Sequence, residues 1–401
     1  MSEIFYLKAE LIAKSPLIIG SGIDDNTDND ILVGSDGKPY IPGTTLAGVF
    51  RHYVGDINNE GSLFGFSTVK DDYTNNKSKI IIYDANLINT AVISSRDGVR
   101  LDENKVAENA GKFDYEIINS GSKFELRMEI NAQTGYTEII DDIITGLNSS
   151  QLRIGGKSNR GFGEISIENI KYKKIDIKNN PEEYINFSWK NVTDDYIVSG
   201  NTANKYISAQ VDFLVESFLF IRNYATLAVD KNNDNKSVDA EQLLNAENKP
   251  VIPGTSWAGV FRHHINKVLD NLNYENKDEC ISNLFGDVVK NKNITIPSKI
   301  VFSESVIENS HQMNRTRNAI DRFTGGAGNQ KLFTTRPTYG GNGTLKIMIK
   351  KDNSLNLQFV KSLINTCIKD INDGILTVGG ETSTGGGLLS IVNGGVVEWT
   401  E

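Results

Sequence analysis

Arg315, Arg317, Arg322, Lys331 and Arg336 crowd one short stretch of the chain, with Phe323, Phe333 and Tyr339 set among them. Cations interleaved with rings suit a single-stranded or heteroduplex nucleic acid: guanidinium and ammonium groups meet phosphates, and rings stack on bases. A plain β-hairpin with solvated charges has the same composition, so both readings stand at this point. A second kind of phosphate site is written twice. Gly43-Thr44, followed by Gly48 and Arg51, returns as Gly254-Thr255 with Gly259 and Arg262. If each block opens a helix, its first amides lack intrahelical partners, the dipole is positive there, and the glycines admit another backbone. The competing reading assigns the glycines to packing and the arginines to surface ion pairs. The run Gly155–Gly163 carries Lys157 and Arg160 and could lay amides and cations along a phosphodiester. Its counterpart Gly379–Gly387 has Glu381 and no basic residue, which leaves backbone and hydroxyls. A tight turn before a final strand explains either run equally well. Gly156-Lys157-Ser158 is no phosphate-binding P-loop, because that motif's first glycine would fall at Gln151.

The loop Gly20–Ile31 supplies acids instead, at Asp24, Asp25, Asp28 and Asp30. A carboxylate beside a phosphodiester can hold a divalent cation or help deprotonate a ribose 2′-hydroxyl. A solvated turn whose side chains bond their own backbone would look the same. His52, His263, His264 and His311 form no zinc-like cluster with Cys280 or Cys367, and no nucleophile elbow occurs.

These residues need a scaffold, and composition bounds it. A chain of 401 residues exceeds one ordinary core and predicts two domains of about 200 residues. With 38% hydrophobic and 23% charged residues, the composition is that of an ordinary globular protein and argues against disorder. Basic residues number 42 against 51 acidic, a net charge of −9, so nucleic-acid contact must rest on local basic positions. The longest apolar runs, Ile80–Tyr83 and Val211–Val215, have strand length and predict no membrane span. Met1-Ser2-Glu3-Ile4 has no basic region leading into an apolar stretch, so no signal peptide is expected. Two distant cysteines suit reduced thiols in a cytoplasm.

The chain repeats itself. Ile41-Pro42-Gly43-Thr44-Thr45-Leu46-Ala47-Gly48-Val49-Phe50-Arg51-His52 returns at Ile252–His263 with ten of twelve residues identical. Leu63-Phe64-Gly65 returns as Leu284-Phe285-Gly286, Ser78-Lys79-Ile80 as Ser298-Lys299-Ile300, and the Gly-rich run as Gly379–Gly387. Four blocks in one order at nearly constant spacing mark a duplicated module. The modules are placed at 1–175 and 205–401, with the polar stretch 176–204 as a linker or terminal excursion. Alternation at Leu7, Ala9, Leu11 and Ala13 predicts a half-buried strand over Tyr6–Leu17, and Ala209–Ile221 predicts its equivalent. Thr44 and Thr255 are good helix caps, ahead of stripes at Leu46, Val49, Phe50, Tyr53 and at Trp257, Val260, Phe261 with His264 or Ile265. Glu116–Ile130 and Thr344–Lys350 read as strands, and Ile139–Leu147 and Leu357–Ile371 as the second helices. The order suits an α+β fold of two tandem ferredoxin-like (RRM-like) βαββαβ modules with inserted loops and hairpins.

The Ile-Pro-Gly blocks, Leu-Phe-Gly and the late Gly-rich loop together resemble the RAMP superfamily of CRISPR-associated proteins. Arg317–Ala327 with Lys331-Leu332-Phe333 looks like the Ile-Asp-Arg-x-Thr-Gly segment of type III backbone subunits, and Arg96–Asp102 with Phe113–Glu116 is similar to its counterpart. The double module suggests the type III-D branch. The resemblance implies RRM-like domains that hold CRISPR guide RNA, stack beside other effector subunits and, in many members, cut paired target RNA. It places Gly43, Thr44, Arg51, Lys157, Arg160, Gly254, Thr255, Arg262, Arg317 and Arg322 among RNA contacts, the last two on a protruding hairpin. It also places a catalytic aspartate on the loop before each Ile-Pro-Gly block. Counting back from Pro39 and Pro250 reaches Asp28 and Asp239 at the same distance, which would each bind a Mg²⁺ or Mn²⁺ ion. The family's usual proline after that aspartate is missing here. A scaffold with one or both loops inert is the alternative. A guide-processing nuclease would want histidine in those loops, and neither has one.

Overall fold

The computed structural model describes residues 3–22, 25–55, 63–65, 77–102, 107–131, 135–200, 204–223, 238–289 and 294–400. Contacts divide the chain into two units. The first comprises Met1–Ser94, Tyr115–Ser158 and Phe162–Asn204; the second comprises Ser95–Asp114, Asn159–Gly161 and Lys205–Glu401.

Along the first half run β1 (Glu3–Ala13), β2 (Tyr40–Ile41), α1 (Gly43–Val54), β3 (Ile80–Ile82), β4 (Ala85–Leu87), β5 (Ile93–Leu101), β6 (Ala107–Ile118), β7 (Lys123–Ile130), α2 (Tyr136–Asn148) and β8 (Ile165–Asp176). β1 is central and antiparallel to both neighbours, so Leu7 faces Met128 of β7 on one side and Tyr172 of β8 on the other. Strand alternation turns Phe5, Leu7, Ala9 and Leu11 to one face, where Leu46 and Phe50 of α1 and Ile140, Ile143 and Leu147 of α2 cover them. On the other face Ile4 and Tyr6 meet Ile175 and Val192, and Phe187 stacks on Tyr6 at 3.8 Å between ring centroids. The stretch 176–200 thus runs with this unit. The strand expected over Glu116–Ile130 breaks after Ile118, where Gly121 turns with φ +84° and the pairing partner changes from β5 to β1.

The second unit repeats the layout. Tyr206–Val215 is central, with Asn342–Lys350 and Leu389–Ile391 beside it and Ile300–Phe302 beyond. Val211, Phe213, Leu345 and Ile347 pack against Trp257, Phe261 and Ile265 of the helix Gly254–Asn271 and against Leu363, Ile364 and Cys367 of the helix Leu357–Asn372. Burial pushes the Cys367 thiol up, as for an inert core cysteine. Ile265 completes the helix stripe, and His264 turns to Asp370 at 2.5 Å. A further helix, Lys277–Phe285, ends on the Leu-Phe-Gly block. Two hairpins project from this framework: β5 with β6, and Arg315–Ile320 with Ala327–Arg336. Among the described residues no helix is long and apolar enough to cross a membrane.

The helix starts differ from expectation. Pro42 and Pro253 take the cap positions, and the helices begin at Gly43 and Gly254 with no hydrogen bond from the cap residue's own side chain. Thr44 and Thr255 therefore lie inside the first turn. The cause is contact with the sheet: a Cβ on Gly43 would lie 2.2 Å from the Ile82 carbonyl oxygen, and one on Gly254 2.3 Å from that of Phe302. The Gly43 amide donates to the Asp84 carboxylate at 2.7 Å, so the cap is supplied from far along the chain.

Candidate nucleic-acid interface

Positions i, i+4 and i+7 share one helix face. On α1 these are Thr44, Gly48 and Arg51, of which the first two are exposed and the third half-buried. On the helix Gly254–Asn271 they are Thr255, Gly259 and Arg262, all exposed. Among the described residues, a Cβ added at Gly48 or Gly259 would meet nothing within 4 Å. Glycine inside a helix costs about 1 kcal/mol against alanine, and here no packing requires it. The four block glycines therefore divide. Gly43 and Gly254 serve the protein's own backbone; Gly48 and Gly259 leave a bare strip of helix between a hydroxyl and a guanidinium. Such a strip admits a phosphodiester closely, and it occurs in both units.

The Gly-rich loops are built on one plan. Gly155 and Gly379 have φ of +94° and +95°, and a Cβ there would lie 2.5 Å from the Ile18 oxygen and 2.8 Å from the Phe220 oxygen respectively. Lys157 folds over Tyr115, its Nζ 3.2 Å from the ring centroid, and burial lowers its pKa to about 8. Unfolding returns that lysine to its ordinary value of 10.5, so the unfolded chain binds more protons between those two pH values. By linkage, stability rises with pH through that window, and Lys157→Met flattens the rise in a urea-melt series. In the second unit, Arg160 Nη2 donates to the Phe285 carbonyl at 2.9 Å, while its buried Nη1 has no hydrogen-bond partner among the described residues. Burial first, and then the nearby Arg262 charge, hold its pKa below the usual arginine range. Two guanidiniums drawn together in one unit favour an anion beside them.

On the second hairpin, Asp321 accepts the Phe323 and Thr324 amides at 2.9 Å each and fixes the tip. Arg322 and the fully exposed Phe323 stand outward there, with Ile320 and Leu332 exposed alongside. Arg315 and Arg317 both meet Glu381, and Arg336 meets Glu241 at 3.1 Å. The Lys331 side chain lies outside the described residues.

The acidic loops separate by role. Asp30 is buried and accepts the Asn26 amide at 3.0 Å and the Thr27 amide and hydroxyl at 2.8 Å each. Those bonds, the Asn26 amide first, hold its carboxyl below the usual range. It organises the turn. Asp25 and Asp28 are exposed on that turn, and Asp24 lies outside the described residues. Asp239 is exposed as well, with Oδ2 accepting the Thr334 amide at 2.6 Å. The frame around both loops is the same. Leu32 donates to Ile19 and Leu243 to Ile221, each at 2.7 Å, and Val33 bridges Pro39 as Leu244 bridges Pro250. Asp28 and Asp239 each lie four residues before the donor leucine and eleven before the proline, whereas the loop reaching back to Ile221 is nine residues longer than the one reaching back to Ile19. Among the described residues no three His, Cys, Asp or Glu side chains converge as a metal-binding group.

A model of the RAMP superfamily matches residues 10–166 and again 200–390, which together are most of the chain. The chain belongs to the RAMP superfamily. It is a tandem RAMP protein, mixed α/β and rich in strands, of a family whose members work with RNA in CRISPR effector complexes. No curated protein matches it closely enough to narrow this further. Within the RAMP chain, the structure aligns Thr44 and Arg51 across Gly48, and Thr255 and Arg262 across Gly259, and brings Arg160 to Arg262. Arg322 stands apart on its hairpin tip. Sequence reasoning missed Asp84, the cap of α1, and the pairing of Glu381 with two arginines. Asp84 comes two residues after the Ile80–Ile82 strand, as Glu304 comes two after Ile300–Phe302, and that repeated acid was the available signal.

Proposed function

We propose that this RAMP protein is a guide-RNA-binding backbone subunit of a type III CRISPR effector complex, of the double-module type III-D kind. Each unit is read as a ferredoxin-like fold. The strand order β3-β7-β1-β8 with both helices on one face supports that reading, and the second unit repeats it. The observation that carries the proposal is the duplicated Thr-Gly-Arg face, with an unpacked mid-helix glycine in each unit. Guide RNA runs along these faces, and Arg322 and Phe323 meet the guide–target duplex from the hairpin tip. The test is purification with the partner effector subunits followed by extraction of RNA. A uniform guide-sized RNA is expected, and an assembled preparation without RNA sinks the proposal. Arg51→Gln and Arg262→Gln, made in that complex, should weaken RNA equally across sequences. Each should also reduce the slope of log affinity against log salt by about one.

Target RNA cleavage is the second part of the reading. Asp28 and Asp239 would each hold a Mg²⁺ or Mn²⁺ ion, which supplies charge stabilisation at the scissile phosphate. One carboxylate per loop fits such an ion when RNA phosphate and water complete its shell. The chain's own part is to set that carboxylate on a turn held by Asp30, or on a strand end held by Thr334. A scaffold reading has a specific observation behind it in the second unit, where the Asp239 carboxylate already serves the Thr334 amide.

A further inference from the structure

The third position of each Gly-rich loop can be compared with its own copy. Lys157 follows Gly155-Gly156 as Glu381 follows Gly379-Gly380, and both take left-handed backbone, with φ of +53° and +56°. That backbone strains a long side chain and suits glycine, so the reason for these residues must lie at the ends of their side chains. The ends are opposite in charge. Lys157 rests on Tyr115. Glu381, with only 10% of its side chain exposed, reaches two arginines of the second hairpin. Its Oε2 takes Nη1 of Arg315 at 3.2 Å, and its Oε1 takes Nη2 of Arg317.

The division leaves both guanidiniums short of acceptors. A guanidinium is best met by two oxygens in a fork, and here one carboxylate is split between two of them. Arg317 Nη1 meets the Thr384 hydroxyl at 3.4 Å, and its buried Nε has no hydrogen-bond partner among the described residues. Arg315 lies over the Phe218 ring, its guanidinium carbon 4.1 Å from the centroid, so its position does not depend on the carboxylate alone. Two neighbouring guanidiniums with spare donors suit the anionic oxygens of successive phosphates along a strand.

We infer that Glu381 is an internal competitor of the phosphodiester backbone, withholding Arg315 and Arg317 from RNA at the base of the second hairpin. The inference rests on the RNA-binding reading and adds a control to it in the second module. The two modules are thereby unequal at one position. In the first the loop contributes a cation, and in the second it takes two cations out of play.

The experiment is a titration of nuclease-treated, full-length protein with a fluorescently labelled uridine oligonucleotide at several salt concentrations, read by anisotropy. Glu381→Gln should tighten binding about tenfold at low salt and steepen the slope of log affinity against log salt by about 1.4, as for two more phosphates neutralised on a single strand. Glu381→Gly should do the same, and glycine suits the left-handed backbone, so it decides the matter if the glutamine variant distorts the loop. Adding Arg315→Gln and Arg317→Gln to E381Q should return the wild-type affinity and slope. The inference is overturned if neither Glu381 variant binds tighter, or if the gain survives loss of both arginines. It is overturned too if E381Q self-associates in sedimentation velocity and gains nothing for the oligonucleotide, because the arginines would then serve protein. Arg51→Gln and Arg262→Gln in the same titration separate this inference from the reading beneath it. If they weaken binding while the Glu381 variants match wild type, the competitor fails and the RNA interface stands; if no protein of the series binds, both fail.

Discussion

Asp28→Ala, assembled with guide and partner subunits, should abolish one regularly spaced set of target cuts and leave the others intact. Asp239→Ala should abolish a different set. The loss at each affected site is expected at roughly 10²- to 10⁴-fold, the range for removing a positioned acid–base group. The effect should be confined to cleavage. Asp28 is exposed on a turn whose order comes from Asp30, and a urea melt of D28A checks that the loss is chemical. Asp30→Ala is the informative contrast, because it deletes the acceptor of the Asn26 and Thr27 amides and should displace the whole loop. That variant should lose the same cuts as D28A and also lose stability, by about 1.5–3 kcal/mol for lost hydrogen bonds to a charged carboxylate. Asp239→Ala releases the Thr334 amide near the hairpin base, so a paired urea melt separates a structural loss from a chemical one. Products counted on a denaturing gel decide the matter: an unchanged ladder from both single variants removes cleavage from the proposal and leaves the scaffold.

The repeat was legible because its blocks sit where the backbone tolerates few alternatives. Gly155 with Gly379, and Gly163 with Gly387, match in φ within a degree or two, and a Cβ at either of the latter pair would strike a carbonyl oxygen at 2.3 or 2.1 Å. Sites so constrained keep their residue and spacing while the side chains between them drift. Core strands and second helices were legible for a related reason, since period two and period 3.6 burial are both local. Contacts between residues far apart in sequence were not. Nothing near Gly43 announces that Asp84 will cap it, so Thr44 looked like the cap. Nothing in the Gly-rich run announces that Glu381 answers Arg315 and Arg317. The acidic loop shows a third limit: Asp28 and Asp30 are alike in type, and only the fold separates the buried one from the exposed one.

The helix-block glycines should respond to alanine with opposite signs. Gly254→Ala puts a Cβ 2.3 Å from the Phe302 oxygen and 2.4 Å from the Arg160 backbone, where nothing can yield but main chain. A destabilisation of about 1–3 kcal/mol or more is expected, as for overpacking at a rigid site. Gly259→Ala adds its methyl to open space on an exposed helix face and should stabilise the isolated protein by about 0.5–1 kcal/mol through helix propensity. If RNA lies along that face, the same methyl stands between the helix and the phosphodiester, so G259A should bind guide RNA worse while melting higher. Gly48→Ala should repeat both effects in the first unit. Thermal melts and RNA titrations on the same preparations read both quantities. A G259A protein that is more stable and binds RNA as wild type does would mean that the bare strip serves something other than RNA.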